Sequence, residues 1–113
     1  MKFTEKTENN ILQLTFHGDL LGIGDTLELM DLINEKINAG VLKSIINMKD
    51  VRYMNSSGIG ILITIYTKFK NRNGEAVIIN AAEQITKLLN MTKLNTVIKI
   101  FGSEQDALTK LNW

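Results

Sequence analysis

From Ser44 onward, short apolar runs alternate with amphipathic stretches, and that alternation leaves a chain like this few ways to fold. Ser44-Ile45-Ile46-Asn47-Met48 and Ala76-Val77-Ile78-Ile79-Asn80 are short, apolar and rich in β-branched residues, as strands buried on both faces are. Thr96 to Phe101 reads as a further strand. Between the first two, Gly58 to Asn71 places Ile59, Leu62, Ile63, Tyr66 and Phe69 on one helical face, widened by Ile61 and Ile65, and Gly74 follows just past its end. Glu83 to Asn90 reads as a short helix with Ile85, Leu88 and Leu89 inward. Ser103 opens a last helix, with Asp106 three residues on and Ala107, Leu108 and Leu111 as its buried face.

The first forty residues complete the pattern. Residues 3 to 7 and 11 to 16 flank Asn9-Asn10, and the second run alternates Leu12, Leu14 and Phe16 with Ile11, Gln13 and Thr15. Two asparagines tolerate the positive φ of a tight turn, so a β-hairpin is expected. After Gly18, Gly22 and Gly24, a helix is expected to begin at Asp25, with Glu28 in a capping-box relation. Leu29, Leu32, Ile33 and Ile37 form its apolar stripe, and Gly40 stands where a C-terminal cap belongs.

The order ββαβαβαβα predicts an α/β domain. It has one mixed, mostly parallel sheet of about five strands packed with about four helices, with right-handed crossovers and an antiparallel hairpin at the start. Nothing reads as a linker or a repeat, so residues 1–113 are expected to form one domain.

Composition then narrows the function. The 113 residues contain no cysteine, so the core must hold without disulfides. Thirteen basic against 12 acidic residues supply no electrostatic footprint for nucleic acid. The longest mainly apolar run, Ile59 to Tyr66, is far short of a membrane span, and the charged N-terminus, Met1 to Asn10, lacks the apolar region of a secretory signal. No membrane partner and a cytoplasmic address are expected. His17 is the only histidine, which excludes a multi-histidine metal site and leaves little for acid/base catalysis. No cofactor or metal is expected, and the balance tips from catalysis toward binding.

Chemistry is densest at Asp50-Val51-Arg52-Tyr53-Met54-Asn55-Ser56-Ser57-Gly58-Ile59-Gly60, between a central strand and the most hydrophobic helix. Strand-to-helix connections of this kind open onto a crevice, and the helix start offers unpaired amides that favour an anion. Two readings of Asn55, Ser56 and Ser57 stand side by side. All three are preferred cap residues, and capping needs only one of them. An exposed serine here could also be phosphorylated, adding a charge of about −2 beside amides that tolerate it. Met54, Ile59 and exposed backbone at Gly58 would then form a small apolar contact patch around the switch.

The block Tyr53-Met54-Asn55-Ser56-Ser57-Gly58-Ile59-Gly60-Ile61-Leu62 closely resembles the aromatic/apolar-Asp-Ser-Ser-Gly-Leu-Gly-apolar signature of STAS domains of the anti-sigma-factor antagonist type. Gly18-Asp19-Leu20 is similar to that family's Gly-Glu/Asp-Leu, and Ile45 to Val51 to its apolar strand ending in Asp-Val/Leu. Leu88-Leu89-Asn90-Met91-Thr92-Lys93-Leu94 resembles its Leu-Phe-x-x-x-Gly-Leu stretch. The resemblance covers nearly the whole chain.

That resemblance implies a STAS-like single domain binding an anti-sigma factor that is also a serine kinase of the histidine-kinase-like ATPase fold. Unmodified, the domain would sequester the kinase and release a sigma factor; phosphorylation at Ser56 would switch it off. Ser57 matches the neighbouring serine, and Asp19, Asp25, Met54, Asn55, Gly58 and Ile59 would share the partner surface with it. Asn55 stands where the family has aspartate, which keeps shape and capping ability and removes one negative charge; Lys93 stands where glycine is common. The alternative is a constitutive STAS scaffold that never meets a kinase.

Two other signals fail on physical grounds. Ser56-Ser57-Gly58-Ile59-Gly60 and Tyr66-Thr67-Lys68-Phe69-Lys70 mimic fragments of short-chain dehydrogenases. However, Tyr53 and Met54 stand where a nucleotide loop needs small residues, and Tyr66 and Lys70 share one helix with that loop. His17 beside Gly18-Asp19 reads as a polar strand end. Trp113 reads equally as a lid on the last helix or an exposed tail.

Overall fold

The computed structural model of the protein describes residues 2–22 and 26–111. Its elements are β1 (Lys2–Glu8), β2 (Ile11–His17), α1 (Thr26–Asn38), β3 (Lys43–Asp50), α2 (Ser56–Lys70), β4 (Glu75–Ile79), α3 (Glu83–Met91), a 3-10 turn (Leu94–Thr96), β5 (Ile100–Phe101) and α4 (Glu104–Leu111). The strands lie in the order β1-β2-β3-β4-β5; β1 runs antiparallel to β2 and every other pairing is parallel. This is the expected ββαβαβαβα arrangement, a five-stranded mixed sheet with four helices.

The hairpin closes because Asn9 and Asn10 both take positive φ, 54° and 61°, the turn whose twist matches the strands. On β2 the period-two pattern sorts residues cleanly. Leu12, Leu14 and Phe16 enter the main core with α1, α2 and α3, whereas Ile11 joins Ile45, Val77 and Ile79 under Ala107 and Leu111 of α4. Helices thus cover both faces of β3 and β4, which explains why those strands read as continuous apolar runs. Among the described residues, no helix is long and apolar enough to cross a membrane.

Near its carboxyl end β3 gains one residue on β2: Thr15 pairs Asn47, and the next pairing is His17 with Asp50. Such a bulge re-aims side chains at the end of a strand. The buried Asn47 side chain repairs the ladder, its Oδ1 accepting from the Lys49 amide at 3.0 Å and from Asn80 Nδ2 at 3.3 Å.

Three expectations need correction. Helix α2 begins at Ser56, two residues earlier than its apolar pattern suggests, and its buried line is Gly58, Ile61, Leu62, Ile65 and Phe69. Ile59 sits at the margin of that line and Ile63 is exposed, because the helix is turned to press Gly58 against the neighbouring loop. The last strand is only Ile100–Phe101. Ahead of it, Lys93 takes a left-handed conformation (φ 60°), and Thr96 Oγ1 donates to its carbonyl at 2.6 Å, so Leu94–Thr96 coils into a 3-10 turn. Lys93 is also where the resemblance expects glycine, the residue that meets a positive φ without a steric cost. The expected start of α1 at Asp25, and Trp113, lie outside the described residues.

Candidate functional site

Helix α2 starts where it does because Asn55 is extended (φ −105°, ψ −174°) and turns its side chain back onto the helix. Asn55 Oδ1 accepts from the Gly58 amide at 2.9 Å, and the Asn55 carbonyl accepts from the Ile59 amide at 3.0 Å. Asn55 is therefore the cap, and neither serine is needed for that task. The amides of Ser56 and Ser57 have no acceptor within the helix, and no acidic residue occupies the first turn. Both serine side chains are exposed. A hydroxyl thus stands in solvent at the positive end of a buried helix.

This turn is held from behind by the segment that follows β2. The Gly18 amide donates to the Asp50 carbonyl at 3.2 Å, the Leu20 amide to the Tyr53 carbonyl at 2.9 Å, and the Asn55 amide to the Leu20 carbonyl at 3.4 Å. Leu20 and Met54 form an isolated parallel bridge, so the sheet in effect continues past its last full pairing. The approach is close enough to dictate residue type. A Cβ on Gly58 would lie 2.0 Å from the Leu20 carbonyl oxygen, and one on Gly22, whose φ is +75°, would lie 2.5 Å from Ser57 Cβ. Asp19 is exposed between these contacts.

Two members of the expected contact patch are corrected by this geometry. Met54 is 1% exposed, because the Leu20–Met54 bridge turns its side chain into the core with Leu20 and Leu62. Gly58 is buried beneath the Leu20 backbone instead of offering a free peptide surface. Both support the serine turn from below. Of the remaining expected residues, Asn55 and Ile59 are half-buried and Ser56, Ser57 and Asp19 are exposed, all at the same end of the sheet; Asp25 lies outside the described residues. The residue that sequence reasoning missed is Tyr53, 56% exposed beside the serines. The sequence carries no local signal for it, because the burial of the adjacent Met54 depends on the bridge to Leu20.

The histidine has a structural partner. Its Nδ1 lies 2.9 Å from Asp50 Oδ2 and its Nε2 lies 3.0 Å from Thr4 Oγ1, a half-exposed cluster tying β1, β2 and the end of β3 together. No histidine or carboxylate among the described residues hydrogen-bonds Ser56. Tyr66 and Lys70 lie at the far end of α2, where Lys70 pairs Glu75 at 3.4 Å. At the rise of an α-helix they stand about 15 to 20 Å along the axis from Ser56.

Comparison with known proteins agrees with this geometry. The Paenibacillus polymyxa anti-sigma F factor antagonist is 28% identical over 67 residues, 59% of this chain and 57% of that protein. The Bacillus subtilis anti-sigma-B factor antagonist is 33% identical over 58 residues, 51% of this chain and 53% of that protein. The matches thus span just over half the length of these relatives. Among solved structures, that of the Bacillus cell fate determinant SpoIIAA in its phosphorylated form superposes with a TM-score of 0.73 at 17% identity, covering 96% of this chain and 98% of that one. Residues 2–107 match the family described as the STAS domain. The five-stranded mixed sheet and four helices are therefore those of a STAS domain, and the chain belongs to that family.

Proposed function

We propose that this chain is an anti-sigma factor antagonist whose binding surface is the turn at the start of α2, with Ser56 as its phosphorylation switch. Unphosphorylated, it sequesters an anti-sigma factor that is itself a serine kinase of the histidine-kinase-like ATPase fold; phosphorylated, it lets that partner go. The observation carrying this reading is the placement of Ser56, exposed and unneeded for capping, on a turn that Leu20 braces from behind. The names of the relatives and the phosphorylated form of a similar fold support it.

The energetics suffice. A phosphoryl group brings a charge of about −2, and the α2 amides favour it in the free domain. Against a docked protein the same charge must lose its water. Leaving a charge without its partner in an interface costs about 2 to 5 kcal/mol, and each ~1.4 kcal/mol is tenfold in affinity. Asn55 puts a neutral side chain where the resemblance expects a carboxylate, so a phosphate on Ser56 meets no negative charge on the residue directly before it.

Incubation with the cognate kinase and ATP, followed by intact mass measurement, tests the proposal. The expected result is one added phosphate, absent in Ser56→Ala. An unchanged mass for the parent chain would favour a constitutive scaffold instead.

A further inference from the structure

Helix α3 presents an apolar trough that runs into the serine turn. Two depressions, of about 230 and about 330 Å³, share Tyr53, Met54 and Leu88; the first reaches Met91 and the second reaches Ser56. Large apolar side chains stand in solvent here without cover: Met91 is 80% exposed and Tyr53 is 56% exposed, over a floor of buried Met54 and Ile85. Contiguous exposed apolar surface of this kind marks an interaction site, and methionine and tyrosine are the residues that adaptable protein-binding surfaces favour.

Charge specifies the occupant. Among the described residues, the charged side chains lining the two depressions are Arg52 and Lys87, and no carboxylate lines either. Arg52 is exposed and in no ion pair among the described residues, while Lys87 makes a surface pair with Glu83 at 3.5 Å. We infer that the trough between Tyr53 and Met91 receives the apolar face of an amphipathic helix with acidic flanks, belonging to the same protein that meets Ser56. The identity of that protein rests on the function proposed above, because the trough is continuous with the serine turn. An apolar stripe at helical spacing fills such a groove, and flanking carboxylates meet Arg52 and Lys87. The arrangement also explains how one phosphate acts across a wider surface: at Ser56 it would set its charge at the mouth of a trough that selects for acidic partners.

The test uses the isotope-labelled full chain, titrated by NMR with an amphipathic peptide of about 18 residues carrying a leucine stripe and glutamate flanks. A peptide with the same stripe and lysine flanks is the comparison. The expected result is shifted amides at Tyr53, Leu88 and Met91 with the acidic peptide, and affinity about tenfold weaker both for the lysine-flanked peptide and in Met91→Glu. Met91 is exposed enough for that variant to fold, and Arg52→Glu provides a second one that leaves the apolar floor intact. Unshifted amides at these residues, or equal affinity for the two peptides, would overturn the inference. A phosphorylated Ser56 with a negative titration would strike the trough alone. A positive titration with no phosphorylation would support the trough and strike only the switch.

Discussion

Two crossover helices start at the same end of this sheet, and they solve the problem of a helix start in opposite ways. At α2 the N-cap is Asn55, whose side chain takes the third amide; at α3 it is Ala82, which makes no side-chain cap bond. The first residue of α2 is the neutral Ser56, whereas that of α3 is Glu83, a carboxylate that offsets the positive end of its own helix. The third residue of α2 is Gly58, crossed by the Leu20 backbone; its counterpart in α3 is Ile85, whose side chain is buried in the core. Helix α3 carries a carboxylate in its own first turn, whereas α2 satisfies one amide with a neutral cap and has no acidic residue in its first turn.

Substitutions at matched positions test that contrast. The largest effect is expected from Met54→Ala, which empties the core beneath the serine turn; about 3 kcal/mol of stability should be lost in urea unfolding, with partner binding reduced as the turn loosens. Gly58→Ala should cost about 2 kcal/mol, because its Cβ would lie 2.0 Å from the Leu20 carbonyl oxygen and the two laced loops must part. Amide exchange at Leu20 and Asn55 would report the parting directly; unchanged protection there would refute the close-approach account. Asn55→Ala should cost about 1 kcal/mol by removing the cap to Gly58. The smallest effect reverses sign. Ala82→Ser gives α3 the cap it lacks, at an extended backbone (φ −63°, ψ 161°) suited to one, and thermal unfolding should show a gain of about 0.5 kcal/mol. If Ala82→Ser proves neutral while Asn55→Ala is costly, capping matters only where a second loop bears on the helix start.

Much of the fold was legible because its signals are local. The Asn9-Asn10 turn, the alternation on β2, the apolar runs of β3 and β4 and the Ser103 cap, which accepts from the Asp106 amide at 3.2 Å, each depend on a few neighbouring residues. The serine turn was legible for the same reason. Its orientation was not. Which side of α2 faces inward depends on Leu20, more than thirty residues away, so Ile63 was misplaced inward and Met54 outward. The last strand was overread because Val97 and Ile98 carry strand-like residue types, yet Ile98 is buried in the core just ahead of β5 and Val97 is half exposed.

What the amino-acid order settled alone is the succession of elements, the residue types at each turn, and the presence of cap-forming side chains at a strand-to-helix junction, since all of these follow from spacing and backbone preference over short stretches. Tertiary structure decided which of three polar residues caps, that a second loop presses on Gly58, and that Tyr53 and Met91 of separate segments share one trough. Those outcomes depend on contacts between residues distant in the chain, and such contacts exist only once the sheet has brought its strand ends together.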